Sequence, residues 1–271
     1  MKNVVSTVLV LAGLTLSVLP AFSDGSAPEV FTHDDWDAVL SRFVNEQGQV
    51  DYSALDRDRE SLDRYLLAIE EVGPLTTPER FPTREHELAY YINAYNALIF
   101  AGVLERGEEA ETVWTGLPQG LGFFVLKKYR VDGQRINLRN LENKIVRAKY
   151  EDARVHAALN CASAGCPRLP AQAFRPAELD RTLDEAMAEF VTDERNVRID
   201  SGARKVYLSK IFDWFEDDFL ADEREVGNAE PTLIDYVNRF RGDAPPVPSD
   251  YAVRFLEYDK SLNRVPSTVT D

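Results

Sequence analysis

The chain has 271 residues, a formal net charge of −15 and 44% hydrophobic residues. A chain of this length can bury one large core. The acidic excess excludes nucleic-acid binding through a basic face and attraction to anionic membrane surfaces. We therefore expect a small molecule or a peptide as the partner, of a kind that composition does not specify, and no nucleic acid.

Residues 1–23 predict a secretory signal peptide. Lys2 precedes an apolar run from Val4 to Leu19, and the small residues Ala21 and Ser23 are typical of a cleavage site. The run is short for a membrane span, and no charged stop-transfer flank follows it. We expect an exported protein, periplasmic or secreted, without a membrane attachment after cleavage.

The first half of the mature chain predicts three helices. Apolar residues recur at helical spacing from about residue 34 to a stop at Gly48, and again over 61–72. The third helix spans 84–106 and is apolar nearly all round between Leu88 and Leu104, which places it at the centre of the fold. Asn93 and Asn96 interrupt it. A buried amide needs partners, so these two residues either brace loop backbone or line a site.

The second half alternates local hairpins with helices. Asp132-Gly133 predicts the turn of a β-hairpin over 121–138, and Ser201-Gly202 predicts another over 197–208. A buried strand or apolar segment is expected over 153–161, and the periodicity predicts helices over 139–150, 176–193, 209–220 and 231–240. This order predicts an α+β fold that is mainly helical: a single domain over 24–243, followed by an extended tail over 244–271.

The stretch HAALNCASAGCPRLP, residues 156–170, holds His156 and both cysteines of the chain, Cys161 and Cys166. The other two histidines, His33 and His86, lie in polar helical stretches that predict surface positions. Two cysteines in an exported chain favour a Cys161–Cys166 disulfide. A second interpretation is a nucleophilic thiol, with Cys161 attacking and His156 as base. A third is a metal site, but the C-x4-C spacing is not a strong zinc pattern.

Four blocks, in this order, carry a family resemblance: YYINAYNAL, NLRNLENKIVR, RVHAALNCASAGCPRL and YLSKIFDWFEDDF. They resemble the family named domain of unknown function 547, over about residues 30–240. The resemblance implies an α+β domain and no agreed activity. Many members resemble IEH where this chain has Leu141-Glu142-Asn143, so Glu142 is the one titratable group of the trio. The family's motif positions fall on Asn93, Tyr95, Asn96, Glu142, Arg147, His156, Cys161, Cys166, Pro167, Trp214 and Asp218.

These residues lead to two classes of function. As an enzyme, the protein would be a Cys/His hydrolase or acyltransferase acting on an amide or thioester, with the base His156 oriented by Glu142 and the oxyanion held by Asn96 or loop amides. Asn93, Arg147 and Asp218 would then bind substrate. The alternative is a binding or scaffold module stapled by a Cys161–Cys166 disulfide, or a thiol–disulfide redox partner.

Each predicted site residue also has a structural interpretation. Asp218 falls on the apolar stripe of its helix and would there pair with Arg147 or Lys210. Trp214, on the same stripe with Ile211 and Phe219, is expected in the core. No Gly-rich nucleotide loop is present, and we expect neither a cofactor nor a metal.

Overall fold

The structure, a computed structural model, describes residues 29–107, 110–115 and 120–266. The predicted signal peptide lies outside the described residues. Helices dominate, and two small sheets of two and three strands complete a mixed α+β fold, as predicted. None of the described helices is long and apolar enough to cross a membrane.

Three N-terminal helices pack on one side of the core. They are α1 (Asp34–Phe43), α2 (Tyr52–Arg57), whose first turn is capped by the Asp51 side chain, and α3 (Glu60–Glu71). The prediction that His33 lies on the surface is wrong. The ring is 2% exposed, and its Nδ1 lies 2.8 Å from the hydroxyl of Tyr65. Burial lowers the pKa of His33 to about 3, so the ring is a neutral part of the core.

Helix α4 (Arg84–Leu104) is the central element, as predicted. Its side chains are buried continuously from Leu88 to Val103, because helices and loops cover it on every side. Phe100 contacts the rings of Trp36 and Tyr52, which joins α4 to α1 and α2.

The first hairpin is shorter than predicted. Strands β1 (Tyr129–Val131) and β2 (Gln134–Ile136) pair across the Asp132-Gly133 turn, but Gly122–Leu126 form a π-helix instead of a strand. Asp132 has a φ of +52° and is 1% exposed. Its carboxylate accepts hydrogen bonds from the backbone of Leu75 and Thr76 and from the hydroxyl of Tyr91. The turn is therefore bonded to the end of α3 and to α4.

The helical segment 138–150 has a widened middle. Helix α5 (Leu138–Asn140), capped by the Asn137 side chain, continues as the π-helix Leu141–Arg147 and ends as α6 (Ala148–Tyr150). A π-helical turn is rare and is frequently found at functional sites. The next stretch corrects the prediction of a buried strand: Ala153–Ala157 form a short 3-10 helix, although its residues other than Arg154 are buried as expected.

The C-terminal half builds a second apolar cluster around α7 (Leu179–Thr192) and α10 (Leu233–Phe240). Strands β3 (Val197–Asp200) and β4 (Lys205–Leu208) form the predicted hairpin. Strand β5 (Ala252–Phe255), from the stretch predicted as an extended tail, adds to β4 in parallel. The single helix predicted over 209–220 is instead two, α8 (Lys210–Trp214) and α9 (Glu216–Glu225), which meet at Phe215.

Candidate thiol site in an aromatic cleft

A cleft of about 630 Å³ lies where the two apolar clusters approach each other. Its walls are formed by helix α4, by the π-helix Leu141–Arg147, by the loop 160–167 that carries both cysteines (the cysteine loop), and by the C-terminal segment 256–265. This volume is within the range of small-molecule sites, which are mostly apolar with a few convergent polar groups. The polar and sulfur-bearing side chains on its surface are Arg139, Glu142, Asn143, Arg147, His156, Cys161 and Cys166.

Both cysteines are free thiols that face the same cleft. Their sulfur atoms are 3.0 Å apart, whereas a disulfide needs about 2.05 Å. The predicted disulfide is therefore not formed in this structure. The two thiols differ in exposure: Cys161 is partly exposed in the cleft wall, and Cys166 is 6% exposed behind it.

Hydrogen bonds distinguish the two thiols chemically. The pKa of Cys161 is lowered, chiefly by the hydrogen bond from Cys166 and also by those of Ser163 and Tyr258, while burial opposes them. Burial raises the pKa of Cys166. The backbone N–H of Cys161 donates to Cys166 Sγ over 3.0 Å. The lowered pKa and the greater exposure of Cys161 make it the more acidic and more accessible of the two thiols.

The cysteine loop is held by buried amides. The side chain of Asn160 accepts a hydrogen bond from Ala162 N–H and donates to the carbonyl of Pro167, which spans the loop. Ala162, directly after Cys161, has a φ of +64°, a conformation that costs a non-glycine residue free energy. Asn263 donates to Asn160 and accepts from the hydroxyl of Tyr52, so the loop is bonded to α2 through a buried network.

The C-terminal segment 256–265 closes the site from outside. Gly165 and Ala164 N–H donate to the carbonyls of Asp259 and Ser261, as in a short strand pairing. Tyr258, from this segment, points its hydroxyl at both thiols: the oxygen lies 3.2 Å from Cys161 Sγ and 3.1 Å from Cys166 Sγ. One phenol therefore contacts both reactive atoms.

Aromatic rings line the cleft beside the thiols. The ring of Trp214 lies 4.8 Å from Tyr258 and 6.1 Å from Trp114, between centroids, and Trp114 lies 5.1 Å from Phe124. The prediction that Trp214 belongs to the core is wrong, because 41% of its surface is exposed. Trp214 is the last residue of α8, and the break at Phe215 takes it out of helical phase with Phe219 on α9.

His156, which also lines the cleft, belongs to a cluster with Asp218 and Arg147. Its Nε2–H donates to Asp218 Oδ2 over 2.8 Å, and Asp218 accepts two hydrogen bonds from Arg147, of 2.7 and 2.9 Å. The imidazole stacks on Phe215 with 4.1 Å between centroids. Burial lowers the pKa of His156. Burial also opposes ionisation of Asp218, but the hydrogen bonds from His156 and Arg147 outweigh it and lower the pKa of this carboxyl. The cluster is thus a neutral imidazole on a carboxylate, with Nδ1 as its basic nitrogen.

Glu142 pairs with a tyrosine rather than with the histidine. Tyr95 donates its hydroxyl proton to Glu142 Oε2 over 3.1 Å, and burial raises the pKa of Glu142. The role predicted for Glu142, orienting His156, is taken in the structure by Asp218. Asn143, at the position where the resembling family carries a histidine, accepts a hydrogen bond from Arg147.

The two buried amides of α4 brace backbone. Asn93 binds the N–H and the carbonyl of Phe174, and Asn96 binds the carbonyl of Ala158 and the N–H of Asn160. Both amides are thereby engaged, and neither lines the cleft. Asn96 therefore positions the cysteine loop instead of offering a donor to an oxyanion.

The structure brings together Cys161, Cys166, His156, Glu142 and Arg147 around one cleft, and Asp218 lies behind Arg147. Tyr258 and Trp114 were missed by sequence reasoning. Neither stands in a periodic segment or a motif, so no local signal marks them. Among the described residues, no three His, Cys, Asp or Glu side chains converge to hold a metal ion.

Comparison with known proteins finds one family model that matches part of the chain, over the segment that holds most of this site. Residues 79–191 match the model of a protein family of unknown function, DUF547. The match confirms the resemblance over this segment, which holds Glu142, Arg147, His156 and both thiols. No curated protein and no solved structure matches the chain.

Proposed function

We propose that this protein is a thiol–disulfide exchange enzyme in which Cys161 attacks and Cys166 resolves. The observation that carries the proposal is the asymmetric pair of thiols, 3.0 Å apart, one facing the cleft and one buried. An attacking thiol needs access and a stabilised thiolate, and a resolving thiol needs to reach the first sulfur. Cys161 and Cys166 meet these two requirements separately.

The reaction balances without a cofactor. The Cys161 thiolate attacks one sulfur of a substrate disulfide, forms a mixed disulfide and releases one substrate thiolate, which takes up a proton. Cys166 then loses its proton to the second departing thiolate and attacks Cys161 Sγ. The substrate leaves as two thiols, reduced by two electrons, and the protein retains a Cys161–Cys166 disulfide. Closing this bond shortens the distance between the sulfurs from 3.0 Å to about 2.05 Å.

Export belongs to the same proposal. The signal peptide predicted over residues 1–23 would deliver the dithiol to an oxidising compartment, where disulfide substrates are found. Depending on the potential of its partners, the same pair would reduce a disulfide or, in reverse, oxidise two thiols.

The test is intact-mass spectrometry after incubation of the reduced, folded protein with dithiodipyridine. Wild type is expected to end as an internal disulfide, two hydrogens lighter and without an adduct. Cys166→Ser is expected to stop at the mixed disulfide, with one pyridylthio group attached. Cys161→Ser is the matched control and is expected to react far more slowly. A stable adduct on each cysteine of wild type would refute the proposed resolution step.

A second candidate is the Cys/His hydrolase or acyltransferase, which the shared cleft of Cys161 and His156 favours. Asp218 supplies the acceptor that fixes the imidazole tautomer and leaves Nδ1 as the base. No hydrogen bond joins His156 to Cys161 in the described part of the chain, so a substrate or a water molecule would have to bridge them. Thioester hydrolysis that is lost in His156→Gln and retained in Cys166→Ser would favour this candidate over disulfide exchange.

A further inference from the structure

Two cationic side chains line the cleft of an acidic protein. The chain has a net charge of −15, yet two arginines, Arg139 and Arg147, line the cleft. Arg147 is neutralised by Asp218. The side chain of Arg139 is exposed and forms no ion pair or hydrogen bond with any described residue. Within the described part of the chain, Arg139 is therefore an unpaired cation at the cleft.

The acid that shares the cleft with this cation forms its hydrogen bond with a tyrosine. Glu142 lines the same cleft and accepts a hydrogen bond from Tyr95; burial raises the pKa of its carboxyl, and the charges of Arg147 and Arg139 lower it. Guanidinium groups bind carboxylates with paired, directed hydrogen bonds. An incoming carboxylate thus meets an available guanidinium where the rest of the protein repels negative charge.

The cleft is also lined by aromatic rings. Trp114, Phe124, Trp214 and Tyr258 form a continuous set of ring contacts, and Tyr258 touches both sulfurs. Such walls bind planar or apolar groups. A substrate sulfur that reaches Cys161 therefore shares the cleft with these aromatic rings and with Arg139.

From this arrangement we infer the substrate class of the proposed exchange reaction: a small disulfide that bears a carboxylate next to an apolar or aromatic group. Arg139 binds the carboxylate, and the rings of Trp214 and Tyr258 hold the apolar group. Arg139 acts as a specificity-determining residue. The inference rests on the proposed function, because it assumes that a disulfide reacts at Cys161.

The experiment compares two aromatic disulfides of similar size. Dithiobis(nitrobenzoate) carries carboxylates, whereas dithiodipyridine is neutral. Second-order rate constants for reaction with the reduced, folded protein are measured at low salt for wild type, Arg139→Gln and Arg57→Gln. Arg57 is an exposed arginine outside the cleft and serves as the matched charge control.

We expect Arg139→Gln to lower the rate constant for the carboxylate probe by roughly three- to tenfold, as one partly screened charge predicts. The rate constant for the neutral probe should stay within about twofold, since it carries no charge for Arg139 to attract. Added salt should reduce the advantage of the carboxylate probe in wild type, because it screens the exposed guanidinium. Arg57→Gln should leave the ratio between the probes unchanged.

The outcomes separate this inference from the proposed function. Equal effects of Arg139→Gln on both probes, or no effect on either, would overturn the carboxylate site while leaving exchange at Cys161 intact. A folded wild type that reacts with neither probe would refute the exchange function, and the substrate class with it. Trp214→Leu should slow both probes, and unchanged rates in that variant would overturn the aromatic half of the inference.

Discussion

The hydroxyl of Tyr258 is the group outside the cysteine loop that contacts both thiols, and its removal gives a quantitative prediction. The oxygen lies 3.2 Å from Cys161 Sγ and 3.1 Å from Cys166 Sγ, and its hydrogen bond is one of the causes that lower the pKa of Cys161. Tyr258→Phe deletes this donor and keeps the ring that packs on Trp214. The pKa of Cys161 should therefore rise.

The magnitude follows from the strength of a hydrogen bond to a charged group. Such a bond contributes roughly 1.5–3 kcal/mol, and about 1.36 kcal/mol corresponds to one pKa unit. The hydroxyl is shared between two sulfurs and Cys161 is partly exposed, so we take the lower end, about one unit. Below its pKa, the Cys161 thiolate would then be about tenfold less abundant at a given pH.

The assay is the rate of alkylation by iodoacetamide as a function of pH. In wild type the rate should rise with a midpoint below that of an ordinary cysteine, and in Tyr258→Phe the midpoint should shift to higher pH. Tyr207→Phe, on strand β4 away from the cleft, is the matched control and should leave the midpoint in place. An unchanged or lower midpoint in a folded Tyr258→Phe protein would refute the assignment of Tyr258 as a thiolate donor.

Three further predictions concern stability, each measured as the free energy of unfolding in urea. Asp218→Asn should cost about 2 kcal/mol, because it removes the negative charge that Arg147 and His156 share and replaces one acceptor oxygen with an NH2 donor. The cost is smaller than for a fully buried pair because the carboxylate is partly exposed; a loss below about 0.5 kcal/mol would mean that the cluster is solvated. Glu142→Gln should become more stable relative to wild type as the pH rises above 4.5, the ordinary pKa of a glutamate. The reason is that the pKa of Glu142 is raised in the folded protein, so ionisation at higher pH destabilises the wild type. A difference in the free energy of unfolding that does not vary with pH would contradict this. Asp132→Ala should cost about 3 kcal/mol by leaving donors of Leu75, Thr76 and Tyr91 unpaired, and an unaltered urea midpoint would show that water replaces the carboxylate.

The local sequence pattern was sufficient to predict the central helix and the first hairpin turn. The nearly all-apolar surface between Leu88 and Leu104 predicted a buried central helix, and α4 is buried from Leu88 to Val103. The pair Asp132-Gly133 predicted a tight turn, and Asp132 has the positive φ that such a turn requires. Both features depend on residues that are close in sequence, so they can be predicted from the sequence alone.

Elements shaped by distant contacts were predicted less well. The apolar stretch Gly122–Leu126 has the composition of a strand but forms a π-helix, whose Val125 carbonyl accepts a hydrogen bond from Asn137. Residues 153–157 are apolar enough for a strand but find no strand to pair with among the described residues, and they form a 3-10 helix. The strand propensity of a segment predicts its structure poorly when hydrogen bonds to distant residues stabilise a different conformation.

The sequence by itself determined which chemical groups the candidate site contains, because the spacing of His156, Cys161 and Cys166 and the family blocks both point to the cysteine loop. Only the tertiary structure decided how these groups pair. It joined His156 to Asp218 rather than to Glu142, turned Asn93 and Asn96 towards backbone, and brought Tyr258 to the two sulfurs. The physical reason is that hydrogen bonds and ion pairs depend on distances of a few ångströms between residues far apart in sequence, such as the 62 positions between His156 and Asp218. The spacing of residues along the chain does not give the distances in space between residues that are far apart in sequence.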